Sequence, residues 1–390
     1  MTNKRKKAMS SSDDDDDYPK LPQAVVDEIL KRLPVKSLLR FRCVSRSWRS
    51  AIDDPRFAAL HLSHSALHTS NWYFAFIDDP RHHCPRTCSL FPIDSRIRPS
   101  KLIVETPFVD TPPSELTLVG WCNGLICVAD EPYGKGYMYL WNLFTRKQKV
   151  VPLSRPEQQQ FLSKDAVDVV LGFGFDAGSN DHKILRILYF PDNDRRWFGR
   201  VEIYSLRADS WRSLECEVPA FRPHNKAVFL NGNLHWVAAK LDDLGRESKD
   251  GSRIFLFNVA GEVFDEMAMP EEIETSDEDD FVLLVSVAVL NDSLAVFVCR
   301  SYPFGPAIYS ACSVWVMRDY GVPQSWTKLY DFETGHVVIA FFGFTWNGEP
   351  SIREDNGDTI SWNPITGRVR NLFLDSGSEF VTVVENLVSL

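Results

Sequence analysis

The 390-residue sequence contains no apolar run long enough to cross a lipid bilayer. Its most apolar stretch, residues 281–290, is interrupted by Asn291-Asp292, whereas a membrane span needs about 20 consecutive apolar residues. The chain also lacks an excess of positive charge, since its formal net charge is -10. A general nucleic-acid binder needs a dominant basic surface to contact phosphates. We therefore expect neither a membrane nor a nucleic acid among the partners.

The sequence also lacks the common signatures of catalytic and metal sites. It contains no G-x-S-x-G elbow, no P-loop and no cysteine in a motif with histidine. Four potential ligands, His82, His83, Cys84 and Cys88, lie close together, but their spacing fits none of the paired zinc patterns. We therefore expect no enzyme active site, no metal and no cofactor.

The eight cysteines are irregularly spaced and no signal peptide precedes them, which predicts reduced thiols in an intracellular protein. Residues 1–18 contain a basic run at 4–7 and five aspartates at 13–17, and such blocks cannot bury a core. They predict a disordered N-terminal tail. Because the basic run is also compatible with nuclear import, the expected location is the cytoplasm, the nucleus or both.

A helical pattern begins after the tail. Pro22 marks a helix start and Pro34 ends the periodic run, while Val35 opens a second short helix and Ser45 is a candidate N-cap for a third. The apolar residues of the first helix recur at helical spacing and are Val25, Val26, Ile29, Leu30 and Leu33. Three short helices bury little by themselves. We therefore predict a partner-binding module at residues 19–60, followed by a linker at 61–70.

The remaining chain, residues 71–390, has a β-rich pattern with an internal repeat. Turn elements recur at intervals of 50, 58, 60 and 56 residues, and they are Asn123-Gly124, Gly172-Phe173-Gly174, Asn231-Gly232, Asn291-Asp292 and Asn347-Gly348. A second pair of strands follows each turn, at residues 140–152, 203–214, 255–264, 314–329 and 361–372. Two strand pairs in about 50 residues are typical of a four-stranded propeller blade, close to the kelch period.

Five such units are visible, and residues 72–109 are expected to supply a degenerate sixth. The final run, residues 380–390, would then close the ring against the first blade, which leaves few exposed sheet edges. The predicted fold is thus a small all-α helical module followed by an all-β, kelch-like β-propeller of six blades.

Residues 28–45, together with Leu21-Pro22 and Trp48-Arg49, resemble the F-box motif of plant proteins. The segments 120–125, 172–184 and 230–236 resemble the F-box-associated, kelch-like domain that follows it in that family. The resemblance implies binding of a Skp-type adaptor, and through it of a cullin and a RING protein. The implied adaptor-binding residues are Leu21, Pro22, Ile29, Leu33, Pro34, Leu38, Leu39, Cys43, Val44 and Trp48.

The function that the resemblance implies is substrate recognition in a Skp, cullin and F-box ubiquitin ligase, with the propeller holding an unknown protein substrate. Two alternatives remain from the sequence: a kelch-like propeller enzyme or carbohydrate-binding protein, and a scaffold that binds the adaptor without delivering a substrate. The basic helices are also compatible with a DNA-reading helix-turn-helix, but leucines and Trp48 crowd the same segment. The acidic stretch 271–280 is either a solvated loop or a patch for a basic substrate.

Overall fold

A computed structural model gives the fold of most of the chain. It describes residues 21–77, 87–93, 102–105, 116–130, 137–152, 168–191, 197–242, 245–273, 281–303, 308–345, 347–372 and 379–390. The expected disordered tail lies outside the described residues. The N-terminal part is helical, with α1 (Gln23–Leu30), α2 (Val35–Phe41), α3 (Arg46–Ile52) and α4 (Pro55–Ala66).

Local sequence determines where these helices begin. Pro22 and Pro34 occupy the N-cap positions of α1 and α2, as expected from their fixed backbone angle. The Ser45 side chain accepts a hydrogen bond from the Trp48 N–H at 3.2 Å, which confirms its prediction as the N-cap of α3. Asp54 accepts in the same way from the Arg56 N–H at 2.8 Å and starts α4.

The fourth helix corrects the expectation of three helices and a linker at 61–70. Helix α4 continues through Ala66, and a short 3-10 turn follows at Thr69–Asn71. The residues that α4 buries recur along one face and are Phe57, Ala58, His61 and Ser65. Two of these four are polar, so an apolar pattern alone did not reveal the helix.

The rest of the described chain forms six antiparallel sheets, which confirms the six-bladed propeller. The strands are β1 (Trp72–Ile77), β2 (Thr87–Pro92), β3 (Leu102–Glu105), β4 (Leu116–Cys122), β5 (Leu125–Asp130), β6 (Met138–Trp141), β7 (Gln148–Val151), β8 (Asp168–Asp176), β9 (Asp181–Pro191), β10 (Trp197–Ser205), β11 (Ser210–Leu214), β12 (Phe221–Pro223), β13 (Val228–Leu230), β14 (Asn233–Leu241), β15 (Glu247–Asn258), β16 (Val263–Met267), β17 (Val282–Leu290), β18 (Ser293–Tyr302), β19 (Tyr309–Met317), β20 (Trp326–Thr334), β21 (Val338–Phe344), β22 (Pro350–Glu354), β23 (Thr359–Trp362), β24 (Val369–Asn371) and β25 (Glu379–Val384).

The ring closes by pairing its first and last strands. Blade one has the order β25-β1-β2-β3, with Trp72 opposite Val384 and Ile77 opposite Glu379. Blades two, three, five and six each take four consecutive strands, whereas both β12 and β13 pair with β14 in blade four. Contacts run from each blade to the next and from blade six back to blade one. The predicted closure by the C-terminal run is therefore confirmed.

The predicted turns are confirmed at Asn123-Gly124 and Asn231-Gly232, where both residues have positive φ, as two-residue hairpin turns require. Gly172 and Gly174 are an exception, because they lie inside β8 rather than in a turn. A Cβ added at Gly172 would lie 2.6 Å from the Leu234 side chain of the next blade. These glycines therefore permit close packing between blades three and four.

Apolar clusters fill the spaces between adjacent blades. One example joins blades five and six, where Phe297 and Val314 pack with Ile352 and Ile360. Another joins blade one to blade two through Ala75, Leu90 and Trp141. Within the described part of the chain, no helix has the length and apolar character needed to span a membrane.

Candidate functional site

The helical module exposes large apolar side chains to solvent. Val44 is 72% exposed and Leu21 is 61% exposed. Six of these residues lie between positions 21 and 48, and we call them the exposed apolar set: Leu21, Val25, Ile29, Phe41, Val44 and Trp48. Val25 and Ile29 lie four residues apart on one side of α1 and Leu21 precedes that helix, whereas Phe41 and Trp48 form an edge-to-face pair with ring centroids 5.4 Å apart. Exposed apolar surface of this kind marks a protein-binding site.

The ten residues predicted to contact an adaptor occupy three different environments. Seven are exposed, namely Leu21, Pro22, Ile29, Pro34, Cys43, Val44 and Trp48. Leu33 and Leu39 are half-buried, and Leu38 is fully buried. Two exposed apolar residues, Val25 and Phe41, were not among the predicted contacts. Val25 is four residues before Ile29 on α1, so helical spacing was sufficient to find it.

Leu38 is placed differently from its predicted role. It lies in the module's own core, packed with Leu30, Val35, Ile52 and Phe57. Val35 and Leu38 are three residues apart on α2, so they share one face of that helix. In this structure Leu38 supports the module from inside and offers no surface to a partner.

Basic residues accompany the exposed apolar set. Arg42 donates two hydrogen bonds to Asp53, at 2.5 and 2.8 Å, and this pairing raises the pKa of Arg42 and lowers the pKa of Asp53. Five other exposed cations of the helices form no ion pair with any residue that the structure describes; they are Lys36, Arg40, Arg46, Arg49 and Arg56. A partner with an acidic rim would complement them.

The helical module is docked on the propeller through the residues that follow β25. The Val35 N–H, at the start of α2, donates a hydrogen bond to Glu385 Oε1 at 2.8 Å. Leu387 joins the apolar core of the module, and Phe144 of blade two packs against it. Burial raises the pKa of Glu385, although the hydrogen bond from Val35 opposes that shift. The two modules therefore share a buried contact.

Asn386 ties the same segment to the ring. Its side-chain nitrogen donates to the carbonyl oxygens of Gly124 at 3.0 Å and Val384 at 2.9 Å. Its side-chain oxygen accepts from Asn142 Nδ2 at 2.7 Å and from the Val388 N–H at 3.0 Å. Residues 385–390, which we call the C-terminal segment, thus join blades one and two to the helices.

The opposite end of the ring carries aromatic side chains. In blade one, the first strand of the sheet, β25, ends at Val384 beside the helices. The corresponding strand of blade five is β17, so its last residue, Leu290, lies at the same end of the ring as the helices. Since the blades repeat one strand order, the other end of blade five faces away from the helices. There Tyr302 and Tyr309 stack with ring centroids 4.7 Å apart. We call these two residues the tyrosine pair.

Histidine, cysteine and carboxylate side chains, which are the usual metal ligands, occur throughout the described residues. In that part of the chain, no three His, Cys, Asp or Glu side chains are placed to hold a metal ion. Cys88 is buried in the core between blades one and two, and His82, His83 and Cys84 lie outside the described residues.

Comparison with known proteins gives matches over both modules. Residues 19–59 match the F-box domain family, and residues 82–356 match the family described as F-box associated beta propeller domain. An F-box/kelch-repeat protein of Arabidopsis thaliana is 30% identical over 79% of this chain and 78% of its own length. The Arabidopsis thaliana F-box protein CPR1 is 26% identical over 82% of this chain and 75% of its own length.

Proposed function

Because this chain belongs to the F-box proteins that carry an F-box associated β-propeller domain, we propose that it is the substrate-recognition subunit of a ubiquitin ligase. The F-box docks on a Skp-type adaptor and through it on a cullin and a RING protein. The propeller binds a protein substrate for ubiquitylation and proteasomal degradation. The observation that carries this proposal is the exposed apolar set on the F-box helices.

The proposed contribution to ubiquitin transfer is proximity rather than chemistry. The ubiquitin thioester is held by a conjugating enzyme elsewhere in the complex, and this subunit brings the substrate to it. A well-matched tether raises the effective concentration of its two ends to the mM range. The buried contact between Val35 and Glu385 supports this role, because it gives the F-box a defined orientation on the ring.

The adaptor interface is expected to be stabilised mainly by apolar burial. Val44 and Trp48 are exposed in this chain and would become buried under the adaptor. Truncating a buried apolar anchor at the centre of an interface costs on the order of 2 kcal/mol, which is roughly a 30-fold loss of affinity. The unpaired cations would lie at the rim, where each exposed charge contributes less than about 1 kcal/mol.

Calorimetric titration of a Skp-type adaptor into the full chain tests this proposal. We expect Val44→Ala and Trp48→Ala each to weaken binding roughly 30-fold, whereas Lys36→Ala is the matched control and changes binding only a few-fold. Thermal melts of the same variants verify that they remain folded. Equal losses for the apolar and charged variants would show that charge holds the interface, and no binding by the intact chain would overturn the proposal.

The remaining functional alternatives need separate measurements. A reconstituted ligase with candidate substrates distinguishes a substrate receptor from a scaffold that binds the adaptor and delivers nothing. A propeller enzyme or lectin would instead bind a small molecule or sugar in the absence of the adaptor. We also propose a cytoplasmic or nuclear location, which fluorescence imaging of the tagged full chain would test.

A further inference from the structure

Two cysteines face each other across a pair of central strands in blade five. Cys299 of β18 lies directly opposite Cys312 of β19 in the register of the sheet. Their sulfur atoms are 3.0 Å apart, with the Cys312 thiol donating to Cys299 Sγ. Both side chains are buried in the apolar cluster between blades five and six. Because both thiols are buried, they offer no surface to an adaptor.

The strand geometry is compatible with a bond between the two sulfurs. Residues directly opposite each other in antiparallel strands have Cα atoms about 4.5 to 5.5 Å apart. Disulfides span Cα separations of about 4.4 to 6.8 Å. The two ranges overlap, so the backbone already lies within reach of a disulfide. Small side-chain rotations would bring the sulfurs from 3.0 Å to bonding distance.

We propose that Cys299 and Cys312 are a redox-active dithiol, which a two-electron oxidant such as hydrogen peroxide converts to a cross-strand disulfide. This site goes beyond the proposed ligase function and does not depend on it.

The surroundings of Cys299 favour its role as the attacking thiolate. The hydrogen bond from Cys312 lowers the pKa of the Cys299 thiol, and a further contribution comes from Ser301, whose oxygen is 3.8 Å from Cys299 Sγ. Ser301 and Ser310 also form a hydroxyl pair at 2.7 Å beside the thiols. Thiolates are the reactive form of cysteine, so this thiol is the better nucleophile of the two.

Two other buried cysteines provide an internal comparison. Cys122 and Cys127 lie in adjacent strands of blade two, but they do not face each other, because Cys122 pairs with Leu125 and Cys127 with Gly120. Burial raises the pKa of both thiols above the ordinary value. These two cysteines should stay reduced under conditions that oxidise Cys299 and Cys312.

The oxidation balances in two steps. The Cys299 thiolate attacks one peroxide oxygen, the O–O bond breaks, and the departing hydroxide takes a proton to become water, leaving a sulfenic acid on Cys299. Cys312 then attacks that sulfur, and the hydroxyl leaves as a second water with the Cys312 proton. In total, two thiols and one hydrogen peroxide give one disulfide and two waters.

The disulfide would affect the aromatic end of the ring. Tyr302 and Tyr309, the tyrosine pair, each lie three residues from one of the cysteines. A covalent link between β18 and β19 would hold these strand ends together and suppress their opening. Because both thiols are buried, peroxide must enter during local opening of the strands, so we expect slower oxidation than at exposed Cys43.

Peptide mapping of the full chain tests this proposal. Trypsin cleavage after Arg253, Arg300 and Arg318 puts Cys299 and Cys312 on separate peptides, 254–300 and 301–318, each with a single cysteine. After peroxide treatment and thiol blocking, we expect these peptides to be joined, at a mass two hydrogens below their sum and separable by a reductant. Hydrogen exchange of the backbone amides of Tyr302 and Tyr309 should also become slower.

Cys299→Ser should abolish the joined peptide, whereas the matched control Cys122→Ser should leave it unchanged. The measurement on the unaltered chain does not depend on either variant folding. The oxidation of exposed Cys43 shows that the oxidant is active and sets the time scale. If Cys299 and Cys312 can still be alkylated after unfolding, following an exposure to peroxide many times longer than the one that fully oxidises Cys43, the proposal is wrong. A Cys312 linked mainly to another cysteine would also overturn it.

Discussion

The helical module and the β ring bury their apolar surface in opposite ways. In the ring, each blade packs against the next and the last blade against the first, so the interfaces between blades form a continuous core. The module has one small core, which includes Leu387 from the C-terminal segment, and it leaves the exposed apolar set outside. The ring thus completes its own core, whereas the module needs other surfaces to cover it.

Deleting the strand that closes the ring should have the largest effect on the stability of the protein. Deleting residues 379–390 removes Val383, Val384 and Leu387, which are buried, and each contributes about 1.5 to 3 kcal/mol. The sum, about 5 to 9 kcal/mol, is comparable to the whole stability of a typical domain. We therefore expect the truncated chain to lose its cooperative melting transition in near-ultraviolet circular dichroism.

A shorter truncation is the control for that experiment. Removing only Ser389 and Leu390 keeps β25 and the Asn386 hydrogen bonds, so the ring should still melt cooperatively. If deletion of residues 379–390 leaves the melting temperature unchanged, the ring does not depend on the pairing of β1 with β25.

Acid should destabilise the ring by a smaller amount. His182 and His235 are buried in the ring, and desolvation lowers the pKa of each to about 4. A histidine whose folded-state pKa is lowered contributes stability that is complete above its unfolded pKa, near 6.5, and is lost as pH falls toward the folded value. At pH 5 the loss is about 2 kcal/mol for each histidine, or about 4 kcal/mol for the ring.

Denaturant titrations at pH 7 and pH 5 measure this difference. His182 packs against Phe173 and Phe175, so His182→Phe removes the titrating group and keeps a ring of similar shape. Between pH 7 and pH 5, the free energy of unfolding of the variant should fall by about 2 kcal/mol less than that of the unaltered chain. An unchanged pH dependence would show that His182 does not contribute to acid sensitivity.

Removing the hydrogen bond between the two regions should have the smallest effect on stability. Glu385→Ala removes the acceptor for the Val35 N–H, and loss of a helix-capping acceptor costs about 1 kcal/mol. Amide exchange at Val35 should become faster, while the melting of the ring changes little. Glu385→Gln is the matched control because its side-chain oxygen still accepts the bond. Equal exchange rates in the two variants would show that the hydrogen bond does not hold the module on the ring.

The sequence predicted the repeating part of the fold because blade signals are local. Turns such as Asn123-Gly124 and Asn231-Gly232 require positive φ, and each identifies a hairpin from two neighbouring residues. The six blades and the pairing of the C-terminal run with the first blade followed from that periodicity. Gly172 and Gly174 were misassigned because a glycine in a turn and a glycine at a close packing contact look alike in sequence.

The docking of the helical module could not be predicted from local patterns. Val35 and Glu385 are separated by 350 positions, and nothing near either residue indicates the other. Leu38 was misplaced for a related reason, since helical spacing identifies an apolar face but not which of its members the module buries for itself. The other nine residues remain predicted contacts of an adaptor, which calorimetric titration would test.

The pairing of β1 with β25 has a consequence for synthesis on the ribosome. The two strands are separated by about 300 residues, and at a rate of about 5 to 20 residues per second their synthesis is about 15 to 60 s apart. During this interval β1 exposes an unpaired edge, which chaperones can protect and proteases can attack. The F-box helices, in contrast, are complete before β1 emerges. A nascent chain can therefore display its adaptor-binding helices well before it has a closed ring with which to hold a substrate.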